Sequence, residues 1–181
     1  MNSSIFDEHV DTTVRSLGKP TIDSPVHGKT IFVDDSERVI IDTSLTFYNR
    51  CAGGESVPLS FELAGPRRKI FFDPSKTKCG IVTCGGLCPG INAVIRGIVL
   101  ELHYAYHVEN IYGIPYGLQG FIPTFKHPLV ELTPPAVEQI HELGGTILGS
   151  SRGSQDIGEM VDAIERLNMN IVFFIGGDGT L

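Results

Sequence analysis

The sequence has no Lys/Arg-rich run of more than three residues. Its 14 lysines and arginines are dispersed among 21 acidic residues, giving a formal net charge of −7. General nucleic-acid binding, which needs clustered cations to neutralise phosphates, is therefore excluded. No apolar run approaches the ~18 residues of a membrane-spanning helix, so the chain is expected not to cross a bilayer. Residues 1–16 are polar and acidic, without the apolar segment of a signal peptide. Cysteine is scarce: Cys51, Cys79, Cys84 and Cys88 contain no CxxC pair. Two disulfides or one metal site stay open as pairings, with reduced thiols in a cytoplasmic protein as the expectation.

Two common phosphate-binding motifs are also missing. Gly85 and Gly90 have the outer spacing of a Walker A loop, yet Ile91 and Asn92 stand where lysine and serine or threonine are required. No GxGxxG occurs, so a dinucleotide fold is not licensed. His103 and His107 are spaced like a metal pair, but Tyr104 replaces the glutamate of HExxH. A solvated helix end is expected there instead. Phe173 and Phe174 read as core packing, not as a base-stacking platform.

What the chain does have is glycine at strand exits. Of its 21 glycines, 16 fall at or after Gly80. The apolar run at residues 171–175 reads as a buried parallel strand. It delivers directly into Gly176-Gly177-Asp178-Gly179-Thr180. Such glycines let backbone N–H groups approach an anion closely, and the Asp178 carboxylate can hold a divalent metal. A second turn, Cys84-Gly85-Gly86-Leu87-Cys88-Pro89-Gly90, precedes a helix whose N-terminus carries partial positive charge. The third segment, residues 144–153, ends in small residues and Arg152. Alone, Arg152 would be an ordinary surface ion-pair partner. Beside two other glycine turns it is expected to fork onto phosphate oxygens.

Residues 1–78 read as an irregular N-terminal extension that wraps a core or meets another subunit. Pro20, Pro25, Pro58 and Pro66 interrupt it, and short strands are candidates at residues 33–35, 39–41 and 47–50. Residues 79–181 are more regular. Strands are predicted at 80–84, 110–114, 146–148 and 171–175. Helices are predicted at 91–102, at 157–167, and from a Thr133 cap through Val137 and Ile140 to a stop at Gly144. This alternation predicts an α/β fold, an open parallel sheet with helices on both faces, with ligands outside the carboxyl ends of the strands.

Residues 80–97 (GIVTCGGLCPGINAVIRG), 144–153 (GGTILGSSRG) and 177–180 (GDGT) resemble, in order and spacing, the phosphofructokinase family. The likeness is to its long-chain branch of trypanosomatids, plants and many bacteria. Ala64-Gly65-Pro66-Arg67, Tyr112-Gly113 and Tyr116-Gly117 agree with that branch, so the likeness spans residues 60–181. It implies ATP- or diphosphate-dependent phosphorylation of fructose 6-phosphate at its C1 hydroxyl, with magnesium, in glycolysis. It also implies an allosteric homo-oligomer, dimer or tetramer, in the cytoplasm, or in the glycosome if of trypanosomatid type.

By that resemblance Gly86 lies against the donor phosphates, and Arg152 and Gly153 contact the nucleotide. Arg152 would also neutralise transferring charge. Gly177, Asp178, Gly179 and Thr180 would cradle the donor, with Asp178 on magnesium. Glycine at 179 favours ATP, since an aspartate there would crowd and repel the α-phosphate. Arg96 matches an effector-site arginine of short-chain bacterial relatives. The family's catalytic aspartate and sugar-phosphate arginines have no counterpart among these 181 residues. Residues 79–181 are therefore expected to be an incomplete ATP-binding domain, without a general base and inactive alone. Lipid and NAD kinases share the GGDGT turn but neither of the other motifs. A non-catalytic regulatory or interaction chain is the reading from another class.

Overall fold

Side chains bonded to nearby backbone shape the N-terminal part of the chain more than burial does. The computed structural model describes residues 11–28, 30–54 and 59–180. Residues 1–10 of the polar N-terminal stretch, and Pro58, lie outside the described residues. The described residues group into two units, one from Met1–Ser24 and Gly28–Phe71, the other from Pro25–His27 and Phe72–Leu181.

The first unit holds four short strands: β1 (Ile22–Asp23), β2 (Arg38–Ile40), β3 (Ser60–Glu62) and β4 (Lys69–Ile70). β1 pairs antiparallel with β4, and β2 with β3. The strand expected at 39–41 is thus β2, shifted by one residue. Residues 33–35 form no strand. Asp34 instead accepts the Ser36 N–H at 2.9 Å and the Ser36 hydroxyl at 2.6 Å, closing a turn. The same bonds hold the exposed Asp34 carboxyl below its ordinary pKa. Residues 47–50, expected as a strand, lie inside helix α1 (Leu45–Ala52). The Ser44 hydroxyl caps it by accepting the Phe47 N–H at 3.3 Å, a local bond that outweighs β propensity on an element with no buried residue.

The second unit contains β5 (Lys78–Thr83), α2 (Ile91–Leu100), β6 (Asn110–Ile114), β7 (Val130–Glu131), α3 (Ile157–Arg166) and β8 (Ile171–Ile175). The sheet order is β7-β6-β5-β8. β5 runs parallel to both β6 and β8, and β7 pairs antiparallel on the outside of β6. Side chains alternate between the two faces of β5. Cys79 and Ile81 meet Ile91, Ile95 and Val99 of α2, while Val82 shares its core with Ala163 and Met160 of α3. Each such isoleucine or valine contributes about 1.5–3 kcal/mol on burial. The expected open sheet with helices on both faces is the fold. β7 is an addition that two residues were too few to announce.

Three expectations fail for tertiary reasons. The run at 171–175 is not fully buried, because β8 is an edge strand of this sheet, and Phe174 is 46% exposed. The segment after Thr133 forms two 3₁₀ turns, Pro135–Val137 and Ile140–Glu142, in place of one helix. Thr133 does cap it, accepting the Ala136 N–H at 3.3 Å. Its two buried anchors, Val137 and Ile140, fall one in each turn. Residues 146–148 form a loop, not a strand. Side chains accept the Ile147 and Leu148 N–H groups, and Leu148 fills the space a side chain at Gly113 of β6 would need.

α2 continues into a π-helical turn, Glu101–Ala105, and His107 then leaves the helix at φ 58°. His103 and His107 therefore do not share a helix face. No helix among the described residues is long and apolar enough to cross a membrane.

From β5 the chain crosses by α2 to β6 on one side, then returns by α3 to β8 on the other. The order of connection thus reverses between β5 and β8, the place where open α/β sheets take ligands. The exposed side of β8 has a direct consequence. The 181-residue chain is expected to self-associate with rising concentration, and Phe174→Lys to reduce this by charging the edge. Sedimentation velocity tests it; a wild-type chain that stays monomeric contradicts it.

Candidate functional site

β5 and β8 deliver their turns side by side because the exits are bonded to each other. The Cys84 N–H donates to the Ile175 carbonyl at 2.8 Å. Gly85 then turns at φ 78°, and a side chain there would lie 3.8 Å from the Thr180 hydroxyl. After β8 the Thr180 N–H closes a turn on the Gly177 carbonyl at 2.8 Å. The Thr180 side chain occupies the volume a Cβ on Gly176 would need, so that position must be glycine. The third segment is tied to the first. Ser150 donates to the Gly85 carbonyl at 2.6 Å, and Thr83 to the Gly149 carbonyl at 2.7 Å.

These ties enclose a cleft of about 630 Å³. Its lining is residues 84–86, Leu118, residues 151–155, Ile157, Met160, Gly177, Gly179 and Thr180. The structure therefore brings together Gly86, Arg152, Gly153, Gly177, Gly179 and Thr180, six of the seven residues singled out from sequence. Asp178 sits on the same turn, exposed between two lining glycines, and is not itself part of the lining. The N-terminus of α2 is not either. Gly90 starts that helix at φ 94° without a side-chain cap, but the lining stops at Gly86. Arg96 lies elsewhere on α2, where its Nε donates to the Glu138 carbonyl at 3.1 Å.

Arg152 is the one charged side chain of the lining and makes no ion pair among the described residues. Ser151, Ser154, Gln155 and Thr180 are the uncharged polar side chains beside it. Gly86, Gly177 and Gly179 share a further property. A Cβ built on any of the three meets nothing within 4 Å, and none has φ in the left-handed region. Neither packing nor backbone conformation calls for glycine there. Glycine at these places leaves the cleft free to bring a ligand against main-chain N–H groups. Among the described residues no group of three or more His, Cys, Asp or Glu is placed to hold a metal ion. A divalent cation would fit only as one bound by Asp178 together with ligand phosphates and water, the manner in which magnesium is commonly held.

A family model described as Phosphofructokinase matches residues 78–181. The chain belongs to the phosphofructokinase family. It is 42% identical over 182 residues to an ATP-dependent 6-phosphofructokinase of Borreliella burgdorferi, covering 97% of this chain and 40% of that protein. It is 53% identical over 123 residues to one of Trypanosoma cruzi, covering 68% of this chain and 25% of that protein. The chain thus spans well under half the length of these relatives. Among solved structures, the T-state of Pichia pastoris phosphofructokinase aligns with a TM-score of 0.50 at 24% identity, over 68% of this chain and 14% of that one. That likeness concerns the fold.

The cleft also depends on residues to which the sequence reading gave no role. Leu118 lines it, and Thr83, Asn92 and Ser150 hold its loops. Asn92 is 2% exposed on an otherwise apolar helix start. Its amide donates to the Leu143 carbonyl at 3.0 Å and its oxygen accepts the Ile147 N–H at 2.9 Å. A polar residue where the helix pattern asks for an apolar one was the available signal.

Cys79, Cys84 and Cys88 are free thiols. Burial pushes the Cys79 thiol up to about 11 and raises that of Cys84, which a hydrogen bond with the Leu118 backbone partly opposes. Cys88, in the same glycine turn, is exposed. Thiolate is the reactive form, so iodoacetamide at neutral pH should alkylate Cys88 well before Cys79 or Cys84. Peptide mass mapping checks this; early labelling of Cys79 would contradict the burial described.

Proposed function

We propose that these residues form the phosphoryl-donor half of an ATP-dependent 6-phosphofructokinase. The reaction would transfer the γ-phosphoryl group of ATP to the C1 hydroxyl of fructose 6-phosphate, as a step of glycolysis in the cytoplasm. The observation that carries this reading is the set of glycines in the cleft that the fold itself does not require. Three main-chain donors, from Gly86, Gly177 and Gly179, would face the donor phosphates, and Arg152 would meet charge that develops on transfer. Gly153 and Thr180 would complete the cradle. Asp178 is the residue that would hold magnesium, which when bound supplies charge neutralisation to the phosphates. The general base and the sugar-phosphate ligands are expected from sequence outside these residues, and a homo-oligomer is the proposed assembly.

The decisive substitution is one the fold should not notice. In a full-length enzyme carrying these residues, Gly86→Ala should leave the unfolding temperature unchanged, since its Cβ meets nothing within 4 Å. The same change should weaken ATP binding about tenfold or more by blocking approach to the backbone. Loss of stability with intact affinity would mean that Gly86 is a turn residue only.

Donor choice is tested at Gly179, where there is likewise open space for a side chain. Gly179→Asp adds a carboxylate beside the α-phosphate position, and like-charge repulsion penalises ATP more than diphosphate, which ends sooner. Activity with ATP should collapse while any activity with diphosphate is less affected. A wild type that already prefers diphosphate would overturn the ATP assignment, and equal loss of both donors would make Gly179 structural.

A further inference from the structure

We infer that Thr83 is a positioning residue for Arg152, acting through the loop that carries it. The inference rests on the donor-site reading above and concerns how that site is held in register. Arg152 has no ion pair of its own among the described residues and is exposed, so its side chain has nothing to anchor it. Its place is set by the backbone that leads to it. That backbone is gripped at Gly149, three residues before Arg152, by the last residue of β5.

Thr83 is 1% exposed. Its hydroxyl donates to the Gly149 carbonyl at 2.7 Å. With that proton committed, its oxygen can only accept from the Thr146 hydroxyl, 3.0 Å away. The Thr146 oxygen accepts the Leu148 N–H in turn at 3.1 Å. The chain of bonds has one consistent direction, and every member is partnered. On its far side, Gly149 turns at φ 68°, and the Tyr116 ring lies 3.1 Å from where a Cβ would be. The loop is thus clamped between a strand end and an aromatic ring. A second tie runs from Ser150 to the Gly85 carbonyl at 2.6 Å.

Thr83 is also covalently next to the first glycine turn, with Gly86 three residues on. One side chain therefore sets the distance between the main-chain cradle and the cation. Displacement of a charge-stabilising group by even about 1 Å can cost up to 10²-fold in rate. A buried hydroxyl at the end of β5 is a direct way to prevent it.

The test is a double-mutant cycle in a full-length enzyme carrying these residues, with Thr83→Val as the isosteric loss of the hydroxyl. Thr83→Val should lower kcat/KM for ATP by about tenfold or more, with KM for fructose 6-phosphate unchanged. Thr83→Ser should restore most of it. In an Arg152→Ala background, Thr83→Val should have less than about twofold further effect, because the group it positions is gone. Wild-type kinetics for Thr83→Val, or an equal loss in both backgrounds, overturns the positioning role while leaving the donor-site reading intact. Wild-type kinetics for Arg152→Ala overturns both. Should thermal unfolding show that Thr83→Val does not fold, Ser150→Ala cuts the second tie in the same cycle, and an additive result there overturns the inference.

Discussion

Hydrogen bonds at the carboxyl end of β5 bring the cleft together. Thr83 bonds the Gly149 carbonyl, Cys84 bonds the Ile175 carbonyl, and the Gly85 carbonyl accepts from Ser150. Two segments far along the chain, at residues 149–150 and at Ile175, thereby converge on three consecutive positions. The bonds are buried or half-buried, and leaving any of their partners unmade would cost about 1–3 kcal/mol. The sheet and its two helix layers supply the rigid end from which these bonds are made, and the apolar packing of α2 and α3 on opposite faces fixes where that end lies.

The chemistry of the cleft follows from how little charge it contains. The chain has a net charge of −7, yet the lining carries a single charged side chain, Arg152. Anion recognition here would rely on oriented main-chain N–H groups with one cation, where a Walker A loop would supply a lysine from the same segment. A carboxylate on the neighbouring turn, Asp178, suits an anion that arrives with its own metal ion. This division of labour matches phosphoryl transfer, in which the protein mainly positions groups and offsets charge.

Sequence periodicity and glycine placement made β5, β6, β8, α2 and α3 legible to within one or two residues. Local pattern decides such elements, since each has enough apolar positions to declare its face. The misses share a cause. The loop at 146–148 looked like a strand because Thr146 and Ile147 are β formers, but Asn92, distant in sequence, accepts the Ile147 N–H, and Thr83 bonds the Gly149 carbonyl that follows. α1 looked extended, and one capping hydroxyl at Ser44 decided otherwise. β7 is a two-residue strand that exists only because β6 offers it a partner. At the cleft, the glycines and Arg152 were visible as motifs. Thr83, Asn92 and Ser150 lie inside the same motifs, but their holding role was not visible, because their partners lie from 51 to 66 positions away.

The central claim is that the three glycine segments act as one donor-phosphate site. Hydrogen–deuterium exchange with and without magnesium ATP, on a protein carrying these residues, tests it most directly. The account expects exchange to slow together in residues 84–90, 149–155 and 176–180, with α1 and β2–β3 unaffected. Slowing confined to one of the three segments, or appearing only outside them, would contradict it.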